Sequence, residues 1–489
     1  MKQRSLVSAA MLILSIATGA VRAATLYVPE DHPTIQAAID AAAGGDEIRV
    51  APGTYEENID FLGKEIMLRS TGGASVTTID ALCPRPAVTI FNVSGEDAVL
   101  EGFRIINGVS DVGGGVRMEN STIAILSNIF ENNTAVGNSY EGRNAMGGGV
   151  YSLNCIAVFD GNTFRNNTAR VPDVLEDDDF IGAEAYGGGL YISPGNSRVF
   201  NCTFIGNMAL GGTVRTEVEV YYSADADAGH AYGGGLCIMD RIFQTTDLIF
   251  GCTFEDNTAR GGDAESWYYS EARGGHGHGG GLYISNIWET LFTRCRFDGN
   301  RALGGQGTSI NGQNETGIGG DAAGGAAYLP YCEYRIEMDA SLFSGNQAAG
   351  GDGLLYYTPD FDPVHDVDGI SFGGAVSMGN VEAADLSNTV FSGNGLTDDR
   401  EDSLGAALYC ETPIQCIFST IIASTGAPAI QGAASISLDS CIVYFNEDGN
   451  GLFTAVYSDI EDGWPGTGNF DTDPLFRDPP DFHLAPDSP

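Results

Sequence analysis

Lysine is nearly missing from this 489-residue chain, which has Lys2 and Lys64 and no others, and its 23 Lys and Arg face 65 Asp and Glu. The net charge of −42 makes nucleic acids and anionic membrane surfaces poor partners, since their phosphates would meet a body of like charge. An acidic, lysine-poor surface suits a calcium-rich or saline exterior, and it equally serves the solubility of a long repeat protein. Long apolar runs are missing too. No stretch reaches the roughly eighteen residues that a membrane helix needs, so no transmembrane segment is expected. The one short run, Leu6 to Ile16, follows Lys2 and Arg4 and leads into Ala17-Thr18-Gly19-Ala20-Val21-Arg22-Ala23. A cationic start, a short apolar middle and small residues at Val21 and Ala23 predict a Sec-type secretory signal cleaved after Ala23. The mature chain is therefore expected to be secreted or held at a bacterial cell surface.

What the chain has in abundance is glycine, with 68 residues. They do not recur at every third position, as in collagen, but cluster at 113–115, 147–149, 187–189, 233–235 and 279–281. Weaker copies follow at Gly324-Gly325-Ala326 and Gly373-Gly374-Ala375. Each cluster is answered downstream by Phe-x-x-Asn: Phe130/Asn133, Phe164/Asn167, Phe204/Asn207, Phe254/Asn257, Phe297/Asn300, Phe343/Asn346 and Phe391/Asn394. The last glycine, or the second in the weak copies, lies 15 to 19 residues before the Phe, whereas 13 to 26 residues separate each Asn from the next cluster. The first segment reads as scaffold and the second as variable loop.

Within the scaffold, Leu190-Tyr191-Ile192 and Phe200-Asn201-Cys202-Thr203-Phe204 alternate as strands with one buried face. No helix fits between such strands, so successive copies must stack as coils, with parallel pairing at about 4.8 Å. Glycine permits a bend where side chains would collide. The repeated Asn is expected to hold the left-handed conformation of a sharp corner and to stack in a hydrogen-bonded ladder. Two residues before each Phe stand Asn128, Asn162, Cys202, Cys252, Cys295, Ser341 and Thr389, a predicted inward column. Cys202 and Cys252 fall within disulfide range, but three cysteines in one column cannot pair completely, and buried free thiols are the plainer reading. Ahead of the repeats, Thr34 to Ala43 reads as an amphipathic helix that plugs the open end of the core, with Thr34 as N-cap and Ile35, Ala38, Ile39 and Ala42 on one face.

Tyr27-Val28-Pro29, Thr34 to Ala42, Ile48-Arg49-Val50, Pro52-Gly53-Thr54-Tyr55 and Asn58-Ile59 together resemble the opening of the pectin-lyase-like superfamily, which includes pectinesterases. The resemblance implies an all-β fold, a right-handed parallel β-helix (solenoid) with a short N-terminal capping α-helix. The glycine clusters and Phe-x-x-Asn pairs are similar to the repeats of chlamydial polymorphic outer-membrane proteins, which are surface adhesins with a β-helical passenger. Asp471-Thr472-Asp473-Pro474-Leu475-Phe476 with Phe482-His483-Leu484 resembles the closing coil of such secreted proteins, whose chains usually continue. The expected layout is a signal peptide at 1–23, a cap and first coil at 24–60, a β-helix at 61–480 with long insertions between 134 and 372, and a tail, cut short, at 481–489.

The scaffold accounts for several apparent motifs. Thr246 to Gly251 resembles the pectinesterase segment that carries a nucleophilic aspartate, here Asp247, yet Phe250 to Phe254 is the repeat's own strand and that family's glutamine and arginine partners have no match. Gly275-His276-Gly277-His278-Gly279 contains the Gly-His-Gly of polygalacturonases without their other segments; its histidines could ligate a metal, and a solvated loop is the plainer expectation. A polysaccharide lyase needs a cation to neutralise a uronate and a base to take its proton, which with so little lysine means Ca²⁺ and an arginine. Asp177-Asp178-Asp179 and Asp360, Asp362, Asp366 and Asp368 are the acidic clusters available for Ca²⁺, though without calcium-loop spacing, and solvated loops are their default reading. Tyr221-Tyr222, Trp267-Tyr268-Tyr269 and Tyr356-Tyr357 lie in the insertions, which should leave the same corner of successive coils and line up. Exposed aromatics beside carboxylates suit a polysaccharide or a cell-surface glycan or protein, and packing of loops onto the solenoid explains them equally. The leading expectation is a monomeric β-helix that binds glycans or a neighbouring surface through these insertions. The alternatives are a calcium-dependent polysaccharide lyase, or related carbohydrate-active enzyme, and a structural envelope or matrix component.

Overall fold

Each repeat makes one turn of a solenoid, and one turn can be followed from Val150. Val150–Leu153 and Ile156–Asp160 belong to a 22-stranded sheet, Thr163–Arg165 to a 13-stranded sheet and Thr168–Arg170 to an 8-stranded sheet. The chain then leaves the coil, comes back through Ala185–Tyr186, and begins the next turn at Leu190–Ser193. Pairing is parallel and in register: Val150 meets Leu190, Phe164 meets Phe204 and Ala169 meets Ala209. The fold is the right-handed parallel β-helix that the family resemblance implies, built from the stacked, parallel-paired coils that the repeat predicts. Helix Ile35–Ala41 covers its N-terminal end, where Thr34 Oγ1 accepts the Ala37 N–H at 3.1 Å and Ile35, Ala38 and Ile39 are buried. The computed structural model describes residues 23–476 apart from 83, 177–179, 195, 217–224, 240–245, 268–270, 311–315, 357–366, 398–401, 423, 433–434, 445 and 447–452.

The corner after each Phe divides its work differently from the sequence expectation. The left-handed residue is the one before the repeated Asn, with φ of 52° at Asn166, 60° at Gly206, 52° at Asp256 and 63° at Gly299. That position turns outward and needs only a residue tolerant of positive φ. The Asn that follows is wholly buried and satisfies backbone groups freed by the corner. Asn257 is representative: its Nδ2 donates to Asn300 Oδ1 and to the Phe204 carbonyl, both at 2.9 Å, while its Oδ1 accepts the Asn207 N–H at 3.0 Å. The same pattern runs from Asn133 to Asn394. Beside it the seven Phe rings stack with centroids 4.6 to 4.9 Å apart, which is the spacing of adjacent parallel strands. Cys202, Cys252 and Cys295 are buried and unbridged, and burial pushes the Cys252 thiol well above its usual value and the Cys295 thiol up to about 11, so those two stay protonated in the packing.

Where they are described, the long insertions carry strands on both their outgoing and their returning legs. Outgoing strands Val174–Glu176, Val214–Thr216, Ala264–Trp267, Gly307–Ile310 and Gly353–Tyr356 stack into a five-stranded sheet. Returning strands Phe180–Ile181, Ala226–Asp227, Ala272–Arg273 and Gly317–Ile318 stack into a four-stranded sheet. Together they build a second, thinner lobe along the solenoid. Between the two legs runs a waist of glycines joined backbone to backbone: Gly262 N–H donates to the Gly229 carbonyl, Gly275 to Gly262, Gly305 to Gly275 and Gly320 to Gly305, all at 2.8 to 2.9 Å. A Cβ on Gly305 would sit 1.8 Å from the Gly262 oxygen, so close approach, rather than dihedral freedom, demands glycine here. Ala169, Ala185, Ala209, Ala231 and Ala259 fill the lobe on the coil side of the waist, and Val214, Ala226, Ala264 and Ala272 on the far side.

Candidate functional site

Two of the sequence-predicted binding residues, Trp267 and Tyr356, fall on strands of the lobe. Trp267 and Tyr356 end their outgoing strands in one register column, since Trp267 pairs with Ile310 and Ile310 with Tyr356. Tyr221, Tyr222, Tyr268, Tyr269 and Tyr357 lie outside the described residues, as do Asp177, Asp178, Asp179, Asp360, Asp362 and Asp366. Asp368 is described, and its Oδ1 accepts the Gly353 N–H at 2.9 Å, a bond that serves the lobe's backbone. Among the described residues no group of three or more His, Cys, Asp or Glu is arranged to hold a metal. Asp247 sits in strand Thr246–Phe250, paired through its backbone with Thr290, as the repeat requires.

The histidines contradict the solvated-loop expectation. Gly277–His278 is a strand of a six-stranded sheet, and the part-buried His278 ring lies against Tyr232 and Tyr328, with centroids 5.5 and 4.6 Å away. Its Nδ1 is shut off from solvent without a partner, and burial together with the neighbouring imidazoles pushes its pKa well below the usual value. His276 belongs to a ladder. Asn144 Oδ1 accepts the Glu184 N–H at 2.9 Å, His230 Nδ1 accepts the His276 N–H at 2.9 Å, His276 Nδ1 accepts the Asp321 N–H at 2.8 Å, and Asp321 Oδ1 accepts the Ile370 N–H at 2.8 Å. The order exists because every residue in it stands three positions before the first glycine of a cluster.

This ladder forms one wall of a cleft of about 540 Å³, a size within the roughly 300–1,000 Å³ of ligand sites. Gly182, Gly274 and Gly319 make its floor, and Asp227 and Arg273 its second wall. An imidazole that accepts a backbone N–H at Nδ1 carries no proton there, so a neutral ring has its hydrogen on Nε2. The His230 and His276 rings stack 4.6 Å apart, and burial, with His276 beside it, brings His230 down to about 4. At neutral pH His230 therefore offers an N–H donor rather than a lone pair for a metal. Arg273 donates to Asp227 at 3.1 Å and also to Glu271. Burial opposes its charge, but the hydrogen bond and field of Asp227, with Glu271 and Asp225, outweigh this and raise its pKa, so it is a fixed cation and not a proton acceptor. Glu184 accepts from the Tyr186 hydroxyl. Sequence reasoning missed Glu184, Asp227, His230 and Arg273; the signal was positional, a polar residue recurring at a constant offset before the glycines.

No family model matches this sequence, and no curated protein matches it. Among solved structures the chain is similar to the receptor-binding domain of the siphovirus 9NA tailspike, at 10% identity over 92% of this chain and 78% of that one, with a TM-score of 0.29. It is also similar to tailspike protein 3 of bacteriophage CBA120, at 11% identity over 89% of this chain and 58% of that one, TM-score 0.24. The receptor-binding protein of bacteriophage Det7, a podoviral tailspike in a myovirus, gives 11% identity over 93% and 77% of the two chains, TM-score 0.27.

Proposed function

We propose that this is an exported, surface-directed β-helix protein, monomeric, that binds glycans through the distal edge of its lobe. The observation that carries the reading is the stacking of the insertions. Strands from successive coils pair in register, so that Trp267 and Tyr356 end their strands in one column, and the sequence runs on from each into a further aromatic segment. Those segments hold Tyr268, Tyr269 and Tyr357 among carboxylates. Aromatic faces with acceptors beside them are what a pyranose needs, its C–H face against the ring and its hydroxyls against the carboxylates. A repeated column of such groups suits a repeating polymer, because each weak contact raises the effective concentration for the next.

The test is a glycan array and a pull-down on insoluble polysaccharides with the mature chain and a Trp267→Ala/Tyr268→Ala/Tyr269→Ala variant. Binding by the parent should fall at least tenfold in the variant while the far-ultraviolet circular dichroism stays unchanged. Equal binding by the two proteins, or none by the parent on a broad array, removes the reading.

A further inference from the structure

The geometry points to a second ligand site, the cleft between the Asn144–Glu184–His230–His276 wall and the Asp227–Arg273 wall, which takes one uncharged, hydroxyl-rich sugar unit. The inference rests on the glycan-binding reading of the lobe and adds to it a site away from the aromatic edge.

The groups in the cleft decide the ligand class by elimination. Ladder bonds at Nδ1 leave His230 and His276, in their neutral form, with Nε2–H donors, which turns a metal away. The chain's net charge of −42 and the carboxylates of Glu184 and Asp227 on the rim disfavour an anion such as a uronate. Arg273, fixed as a cation beside Asp227, disfavours an isolated ammonium. An aliphatic ligand would take water from Glu184, His230, Asp227 and Arg273 without replacing its hydrogen bonds. What remains is a ligand whose groups donate and accept at once. Hydroxyls do both: they accept from imidazole Nε2–H and guanidinium N–H and donate to Glu184, Asp227 and Asn144. The floor offers such a ligand backbone, because at Gly182, Gly274 and Gly319 the side-chain direction faces the waist, where a Cβ would meet backbone atoms of Gly229, Gly305 and Gly351.

The same unit could arrive as a free sugar or as part of a chain, and the experiment separates the two. Saturation-transfer NMR and calorimetry are run on the mature protein with neutral hexoses and N-acetylhexosamines, with their short oligomers, and with glucuronate as the charged control. One neutral sugar should bind saturably and glucuronate should not. Asp227→Asn and Arg273→Gln should each weaken that binding at least tenfold; both side chains are about a third exposed or more (34% and 44%), so the fold should tolerate the changes, as thermal melts will check. The Trp267→Ala/Tyr268→Ala/Tyr269→Ala variant should keep monosaccharide affinity and lose the polymer. Oligomers that bind where monomers do not, with the same losses in the cleft variants, assign the site to a unit within a chain. The inference is overturned if no neutral sugar or oligomer binds saturably, or if both cleft variants bind as the parent does. Polymer binding that survives this failure leaves the aromatic edge standing; monosaccharide binding in the cleft, with polymer binding unchanged in the aromatic variant, does the reverse.

Discussion

At the scale of single residues, the corner after each Phe separates two demands that one residue type could seem to meet. Asp256 supplies the positive φ and Asn257 supplies the hydrogen bonds. Asp256→Gly should therefore be nearly neutral, since Gly206, Gly299, Gly345 and Gly393 already serve that position in other coils. Asn257→Ala should behave very differently. It strips a partner from the Phe204 carbonyl and from the Asn207 N–H inside the core, and a buried group left unpaired costs about 1–3 kcal/mol. A loss of about 3 kcal/mol or more, read as a lowered denaturant midpoint, is expected for Asn257→Ala against less than about 1 kcal/mol for Asp256→Gly. Equal effects would mean that the division of labour is wrong.

At the scale of elements, the waist of the lobe stands or falls on backbone contact. A Cβ on Gly275 would lie 2.0 Å from the Gly229 oxygen, and backbone cannot step aside as a flexible side chain can. Gly275→Ala should open the waist locally: amides of Gly262, Gly275 and Gly305 should exchange at least tenfold faster, while amides beside the Phe stack keep their protection. Gly44→Ala, with nothing within 4 Å of the added Cβ, is the control that should change nothing. The contrast also explains what the sequence could disclose. The Phe254-to-Asn257 scaffold was legible because burial of side chains on one face imposes a period of two and a fixed length. The capping helix was legible through Thr34 and the apolar face of Ile35, Ala38 and Ile39. The lobe was not, because Gly and Ala carry no contrast between faces and its cohesion comes from backbone bonds that leave no side-chain pattern. For the same reason His276 and His278 read as loop residues, although His276 joins the ladder and His278 packs against Tyr232 and Tyr328.

At the scale of the molecule, two responses to acid oppose each other and fall in different windows. The surplus of carboxylates repels itself at neutral pH and is relieved only as those groups protonate, near pH 4 and below. His230 acts earlier. In the unfolded chain it titrates near 6.5, and in the fold, surrounded by His276, Tyr232, Asp227, Glu184 and Arg273, it stays neutral down to about 4. Between these values the unfolded state binds the extra proton, so the stabilising contribution is complete above pH 6.5 and drains away as pH falls toward 4. With allowance for partial exposure this amounts to roughly 2 kcal/mol, and His278, whose pKa is shifted the same way, adds to it. The stability of the parent should accordingly decline from pH 7 to pH 4.5 before any relief from carboxylate protonation. His230→Asn isolates the cause, because Asn144 already shows that an amide oxygen can accept the next coil's N–H in this column. That variant should lose little at pH 4.5 and flatten the profile of melting temperature between pH 6.5 and 4.5. A parent whose stability holds or rises across that window would show that charge repulsion, not the imidazole column, governs its response to acid.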